Sequence, residues 1–111
     1  MQKMEVVAHT LNQKNSYEEM YQYIGEHPEI VCEESVSYLL LHCSDAIKRG
    51  AFKESKKFLK TSQVIKYCME LGKDGIYLFF MRMRDPAGRF SSVFESEMES
   101  YWQRIKEKVF K

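Results

Sequence analysis

Residues 27–47, HPEIVCEESVSYLLLHCSDAI, decide the fold. Pro28 lacks a backbone N–H and cannot extend a helix arriving through Tyr23 and Ile24, so it marks a break. Glu33 and Glu34 then put two carboxylates where the positive end of a helix dipole favours them. From there Val36, Leu39, Leu40, Cys43, Ala46 and Ile47 recur at three- and four-residue spacing, one face of an α-helix. Tyr38 and Leu41 widen that face, which predicts a helix buried on more than one side. Lys48 and Arg49 suit its carboxyl end, and Gly50 closes it. Ala51 and Phe52 follow at once, so a bulky aromatic falls at a helix–helix corner.

Working outward toward the N-terminus, Ser16-Tyr17-Glu18-Glu19 reads as a capping box. The Ser16 hydroxyl would accept from the Glu19 amide, and the Glu19 carboxylate would return to the Ser16 amide. A short helix should run to about Ile24 with Met20, Tyr23 and Ile24 inward, and Gly25 should supply its left-handed terminating residue. Met4, Val7, Ala8 and Leu11 form a weaker stripe that residues 12–15 interrupt. Residues 1–15 are therefore expected to be a helical or flexible segment ahead of a single helical domain over 16–111. The chain enters mid-pattern, as a piece of a longer protein would.

Toward the C-terminus a helix is expected over 53–71, with Phe58, Leu59, Ile65, Cys68 and Met69 inward and Val64 and Leu71 at its edges. Lys53, Lys56, Lys57 and Lys60 crowd its first half, the end a helix dipole disfavours for cations. They read either as a solvated face or as a basic rim for an acidic partner. Residues 72–75 should form a loop. Periodicity alone does not separate strand from helix in 76–83, IYLFFMRM, but an otherwise helical chain favours helix. Asp85-Pro86-Ala87-Gly88 has turn chemistry. The last helix should run from Ser91 or Ser92 to Val109 with Phe94, Met98, Tyr101, Trp102, Ile105 and Val109 on its face and its end projecting beyond the core. The expected fold is all-α, a compact bundle of about five to six helices with a long C-terminal helix.

Composition narrows the function. At 111 residues the chain suffices for one modest core. Its 17 basic and 16 acidic side chains nearly cancel, leaving no charge excess to attract nucleic acid or an anionic membrane. The longest apolar runs fall far short of the roughly 20 residues a spanning helix needs. Cys32, Cys43 and Cys68 form no Cys-x-x-Cys and cannot all pair internally, so they read as buried thiols in a cytoplasmic protein.

Motifs for chemistry are missing. There is no glycine-rich phosphate loop and no Gly-x-Ser-x-Gly. His9, His27 and His42 are scattered, and the adjacent His42 and Cys43 point about 100° apart on a helix, away from any shared metal. Glu18/Glu19 and Glu33/Glu34 sit at helix starts, where capping and dipole roles account for them. Cys32 lies near a helix start, but two glutamates oppose a thiolate. No cofactor or catalytic set is expected.

The run Ile30, Val31, Cys32, Glu33, Glu34, Ser35, then Tyr38, Leu39, Leu40, Leu41 and Cys43, resembles the middle domain of the cell-division-cycle co-chaperone family. That family delivers protein kinases to the ninety-kilodalton heat-shock chaperone. The likeness extends collinearly over about 17–109, through Tyr23-Ile24, Val64-Ile65, Met69-Glu70-Leu71, Phe79-Phe80 and the stretch from Phe94 through Glu97 to Ile105. It implies an all-helical, non-catalytic domain that binds the chaperone's nucleotide-binding domain, holds its lid open and slows ATP hydrolysis while a kinase is loaded. It also implies two contact segments. One leads into the first compact helix, here Gln13, Lys14, Ser16, Tyr17 and Glu19. The other is the corner after the signature helix, here Ala51, Phe52, Lys53 and Lys56. The kinase-recognising part of the family lies outside these residues.

One departure stands out. The family's leading segment carries arginines, one of which enters the chaperone's nucleotide pocket, whereas residues 13–17 here offer only Lys14. An ammonium does not reproduce the planar fork of a guanidinium. The alternative is a helical scaffold module without chaperone binding, favoured if Phe52 were buried and Lys14 disordered.

Overall fold

The computed structural model describes residues 3–83 and 92–111, with side chains at all of these except 17, 73–83, 93 and 94. Five α-helices carry the chain: α1 Met4–Asn12, α2 Tyr17–Glu26, α3 Glu33–Lys48, α4 Phe52–Met83 and α5 Ser92–Val109, with a 3-10 turn at Pro28–Ile30. The all-α bundle expected from the apolar periodicity is what forms, and no strand occurs among the described residues.

The signature helix α3 is the hub, packing most extensively on α4 and also on α1 and α5. Val36, Leu39, Cys43, Ala46 and Ile47 are buried on it, as their spacing requires. Gly50 ends α3 at φ 76. Its amide donates to the Ile47 carbonyl at 3.0 Å, and the Ala51 amide donates to the Ala46 carbonyl at 2.8 Å. That pair of bonds satisfies two orphan carbonyls and turns the chain sharply into α4. Open space surrounds Gly50, so the backbone angle and not packing demands glycine there.

α1 brings Val7, Ala8 and Leu11 into the same core, each no more than 1% exposed. Met20 and Ile24 of α2 join it, as does Ile30 from the 3-10 turn. On α4 the inner stripe is Phe58, Leu59, Ile65 and Cys68, with Val64 fully buried and not at an edge. Met98 and Trp102 seat α5. A buried polar contact ties α1 to α4, with the Thr61 hydroxyl 2.7 Å from the Asn12 side-chain oxygen.

Several expectations need correction. Gly25 is not the terminator of α2, which runs to Glu26. A residue ahead of proline is pushed out of the helical region, and His27, at φ −130 and ψ 65, takes that role. The capping box is offset by one residue. Ser16 accepts from the Glu19 amide at 3.2 Å, but the Glu19 carboxylate accepts from the Asn15 amide at 2.9 Å. Leu41 is 63% exposed and Leu40 only half-buried, because successive side chains on a helix turn about 100° and α3 buries one face. Residues 72–75 are not a loop. Gly72 alone departs, at φ 71 and ψ −172, and helix resumes through Met83. A single positive-φ residue is enough to redirect a helix when that residue is glycine. The end of α5 does not project, since Ile105 and Val109 are partly buried against the core. The turn expected at 85–88 lies outside the described residues.

All three cysteines are free. Burial pushes the Cys43 thiol up to about 11 and the Cys68 thiol up to about 12. Both are therefore neutral packing groups at physiological pH. Cys32 is half-buried at the start of α3, its sulfur 3.5 Å from the Ser35 hydroxyl.

Candidate functional site

The turn between α1 and α2 holds the first expected contact segment. Gln13 caps α1 through its own amide, which bonds the His9 carbonyl at 3.2 Å. Lys14 is half-buried, and its ammonium lies 5.0 Å from the Tyr23 ring centroid, a cation–π distance. Ser16 caps α2, and Glu19, exposed, closes back on Asn15. Tyr17 opens the helix, with its side chain outside the description.

This turn is fastened to α4. The Lys57 ammonium donates to the Lys14 carbonyl at 2.7 Å. Burial holds the Lys57 pKa below its ordinary value, the nearby Lys60 charge adds to that, and Glu19 opposes both. Lys57 lies five residues past Phe52, about 7.5 Å along the helix axis. The bond therefore ties the first segment to the second turn of α4, the helix that begins at the second segment, through residues 43 apart in sequence.

The second segment is the corner itself. Ala51 is half-buried within the α3 terminator. Phe52 is 37% exposed, so it is neither a buried plug nor a free side chain. Its ring meets Trp102 edge-on at 5.3 Å. The Trp102 indole N–H donates to the Ser55 hydroxyl at 2.7 Å, and Ser55 donates to the Phe52 carbonyl at 2.7 Å. This relay fixes the first turn of α4 against α5 and holds the Phe52 ring at the surface. Lys53, beside it, is exposed.

The lysine row is neither of the two things its composition suggested. Lys56 pairs with Glu99 at 3.0 Å and Lys60 with Glu95 at 2.7 Å. The Lys56 hydrogen bond is the main cause holding Glu99 below the usual carboxylate range. These two pairs stitch α4 to α5, and as exposed pairs they contribute little stability each. Lys56 also stands 4.4 Å over Trp102, so its charge is committed within the domain. Lys53 is left as the outward cation of the expected set.

The sequence reading put Trp102 on the α5 face but missed Lys106, four residues on, and Phe110, just past the helix, and followed Ile105 and Val109 instead. Lys106 lies 5.4 Å over Phe52 and 5.0 Å over Trp102. Phe110, 58% exposed, meets Phe52 at 6.4 Å. The four-residue spacing was visible in the sequence, but only the tertiary fold puts Phe52 against it.

Among the described residues no group of three His, Cys, Asp or Glu could hold a metal. His42 is half-buried between Tyr38, at 4.4 Å, and Phe58, at 5.3 Å, which is an aromatic packing role. An open cleft of about 480 Å³ between α3 and α5 is floored by Leu40, Ile105 and Val109 and carries no paired acid and base. Among the described residues no helix is long and apolar enough to cross a membrane.

The sequence pattern of the family described as Cdc37 Hsp90 binding domain matches residues 10–110. The human protein named Hsp90 co-chaperone Cdc37-like 1 is 27% identical over 115 residues, covering 96% of this chain and 34% of its own length. The fission yeast (Schizosaccharomyces pombe) protein named Hsp90 co-chaperone Cdc37 is 27% identical over 93 residues, covering 83% of this chain and 20% of its own. The chain thus spans about a third or less of these curated relatives. No solved structure matches. With nearly its whole length matched, the chain belongs to the Cdc37 Hsp90-binding domain family.

Proposed function

We propose that this chain is a non-catalytic co-chaperone domain that docks on the nucleotide-binding domain of Hsp90 and slows its ATPase cycle while a protein kinase is loaded. The observation that carries the reading is Phe52, an exposed ring at the α4 corner, with the Lys57–Lys14 bond fastening the α1–α2 turn to the second turn of the same helix. Gln13, Lys14, Ser16, Tyr17 and Glu19 form one segment of the proposed interface, and Ala51, Phe52, Lys53 and Lys56 the other. Phe52 is the anchor, a half-exposed ring held from behind by Trp102. Anchors of this kind, rimmed by polar groups, dominate binding energies.

Docking alone would obstruct closure of the chaperone's lid. Insertion of a guanidinium into the nucleotide pocket is not assigned to this chain, because residues 13–17 contain no arginine and Lys14 does not reproduce its planar fork. Kinase clients are assigned to regions outside this chain. A cytoplasmic setting suits its three unpaired thiols.

The test is calorimetric titration into the isolated Hsp90 nucleotide-binding domain, wild type against Phe52→Ala. The wild type should bind in the micromolar range. Phe52→Ala should bind at least tenfold more weakly, a loss of about 1.4 kcal/mol, with helical circular dichroism retained at the titration temperature. Wild-type binding that the substitution leaves unchanged would remove the corner from the interface. No wild-type binding would leave the scaffold reading.

A further inference from the structure

We infer that the C-terminal end of α5 and Phe110 just beyond it complete the docking corner, with Phe52 and Phe110 acting as a coupled pair of rings and Lys106 as the cation over Phe52. This rests on the chaperone-docking reading above and adds to it residues that neither contact segment contains. Trp102 and Lys106 lie four residues apart on one stripe of α5, and Phe110, the residue after its end, continues that stripe through the hydrogen bond its amide donates to the Lys106 carbonyl at 3.1 Å. That stripe faces Phe52: the Trp102 ring is 5.3 Å from it, the Lys106 ammonium 5.4 Å and the Phe110 ring 6.4 Å. Trp102 is buried, whereas Phe52 and Phe110 remain 37% and 58% exposed. The outer surface is therefore a two-ring platform on a buried tryptophan base.

Its charge states the chemistry of the partner. The carboxylates at this corner are already answered, Glu54 by Arg49 at 3.6 Å and Glu99 by Lys56 at 3.0 Å. Lys106 is held over ring faces and not by a carboxylate, and Lys53 is exposed. Glu107 sits about 100° around α5 from Lys106, on another face. The platform thus presents apolar rings with Lys53 exposed beside them and Lys106, drawn only at longer range to Glu99, over the Phe52 face. It fits an apolar depression on the chaperone domain with acidic groups at its edge. A carboxylate meeting Lys106 there would be more strongly attracted as the rings exclude water.

The two rings touch, so their contributions should not add. The experiment is a double-mutant cycle with Phe52→Ala and Phe110→Ala, titrated calorimetrically into the isolated Hsp90 nucleotide-binding domain at two salt concentrations. Phe110→Ala should weaken binding three- to tenfold with its unfolding midpoint nearly unchanged, since the ring is mostly exposed. The double variant should fall short of the product of the single effects by at least twofold. Lys106→Gln should weaken binding and flatten its salt dependence. Wild-type binding that Phe110→Ala and Lys106→Gln both leave intact overturns this inference while the docking reading stands. Independent, multiplying effects of the two rings overturn the coupled pair. Absence of any wild-type binding overturns the docking reading, and this inference with it.

Discussion

Trp102→Ala should lower the free energy of unfolding by about 3–5 kcal/mol, the range for truncating a large buried aromatic. Trp102 is 3% exposed and is the one tryptophan in the chain. It fills the seam between α4 and α5 and donates to the buried Ser55 hydroxyl, which in turn bonds the Phe52 carbonyl. The substitution leaves a cavity, removes a satisfied buried hydrogen bond, and takes the base from under the Phe52 ring. Denaturant unfolding followed by circular dichroism measures it, because the variant has lost its fluorophore. Trp102→Phe separates the two contributions, keeping a ring while deleting the donor, and should cost about 1–3 kcal/mol. A loss below about 1 kcal/mol for the alanine variant would mean that α5 is not seated through Trp102.

The consecutive leucines of the signature helix supply the second large effect. Leu39→Ala should destabilise by about 2–5 kcal/mol, whereas Leu41→Ala should stay within about 0.5 kcal/mol. Leu39 has no exposed surface and Leu41 is 63% exposed, although the two are chemically identical and two positions apart. Turning about 200° around the axis moves the same side chain from the hub of the core to water. Chemical denaturation midpoints at constant slope read the difference directly. Equal losses at both positions would contradict the orientation of α3.

These residues also mark how much of the protein could be read from its sequence. The α3 face and the Gly50 terminator depend on local spacing and a single backbone angle, so both were legible. Gly25 was misjudged because two breakers stood close together and the proline, acting through His27, prevailed. Gly72 was over-read as a loop, since composition reports that a backbone can bend but not how few residues the bend consumes. Leu41 looked like core because apolar character is not orientation.

The candidate site was legible only in its parts. Phe52 follows a helix terminator, and its corner position came from that. Its neighbours Trp102 and Phe110 lie about fifty or more residues away, and no local pattern links them to it. The lysines of α4 show the same limit: Lys56 and Lys60 are answered by Glu99 and Glu95, and Lys57 by a backbone carbonyl of the α1–α2 turn. A row that reads as a free basic rim is mostly a set of internal ties. Of the four, only Lys53 is exposed and outside these ties.

The most direct test of the central claim is to follow backbone amide resonances of the isotope-labelled chain as unlabelled Hsp90 nucleotide-binding domain is added. The account predicts that shifted and broadened signals gather in two groups, residues 13–19 and 51–57, joined through the Lys57–Lys14 contact. Shifts gathered instead along the α3–α5 cleft around Leu40 and Ile105, with both groups unmoved, would contradict it.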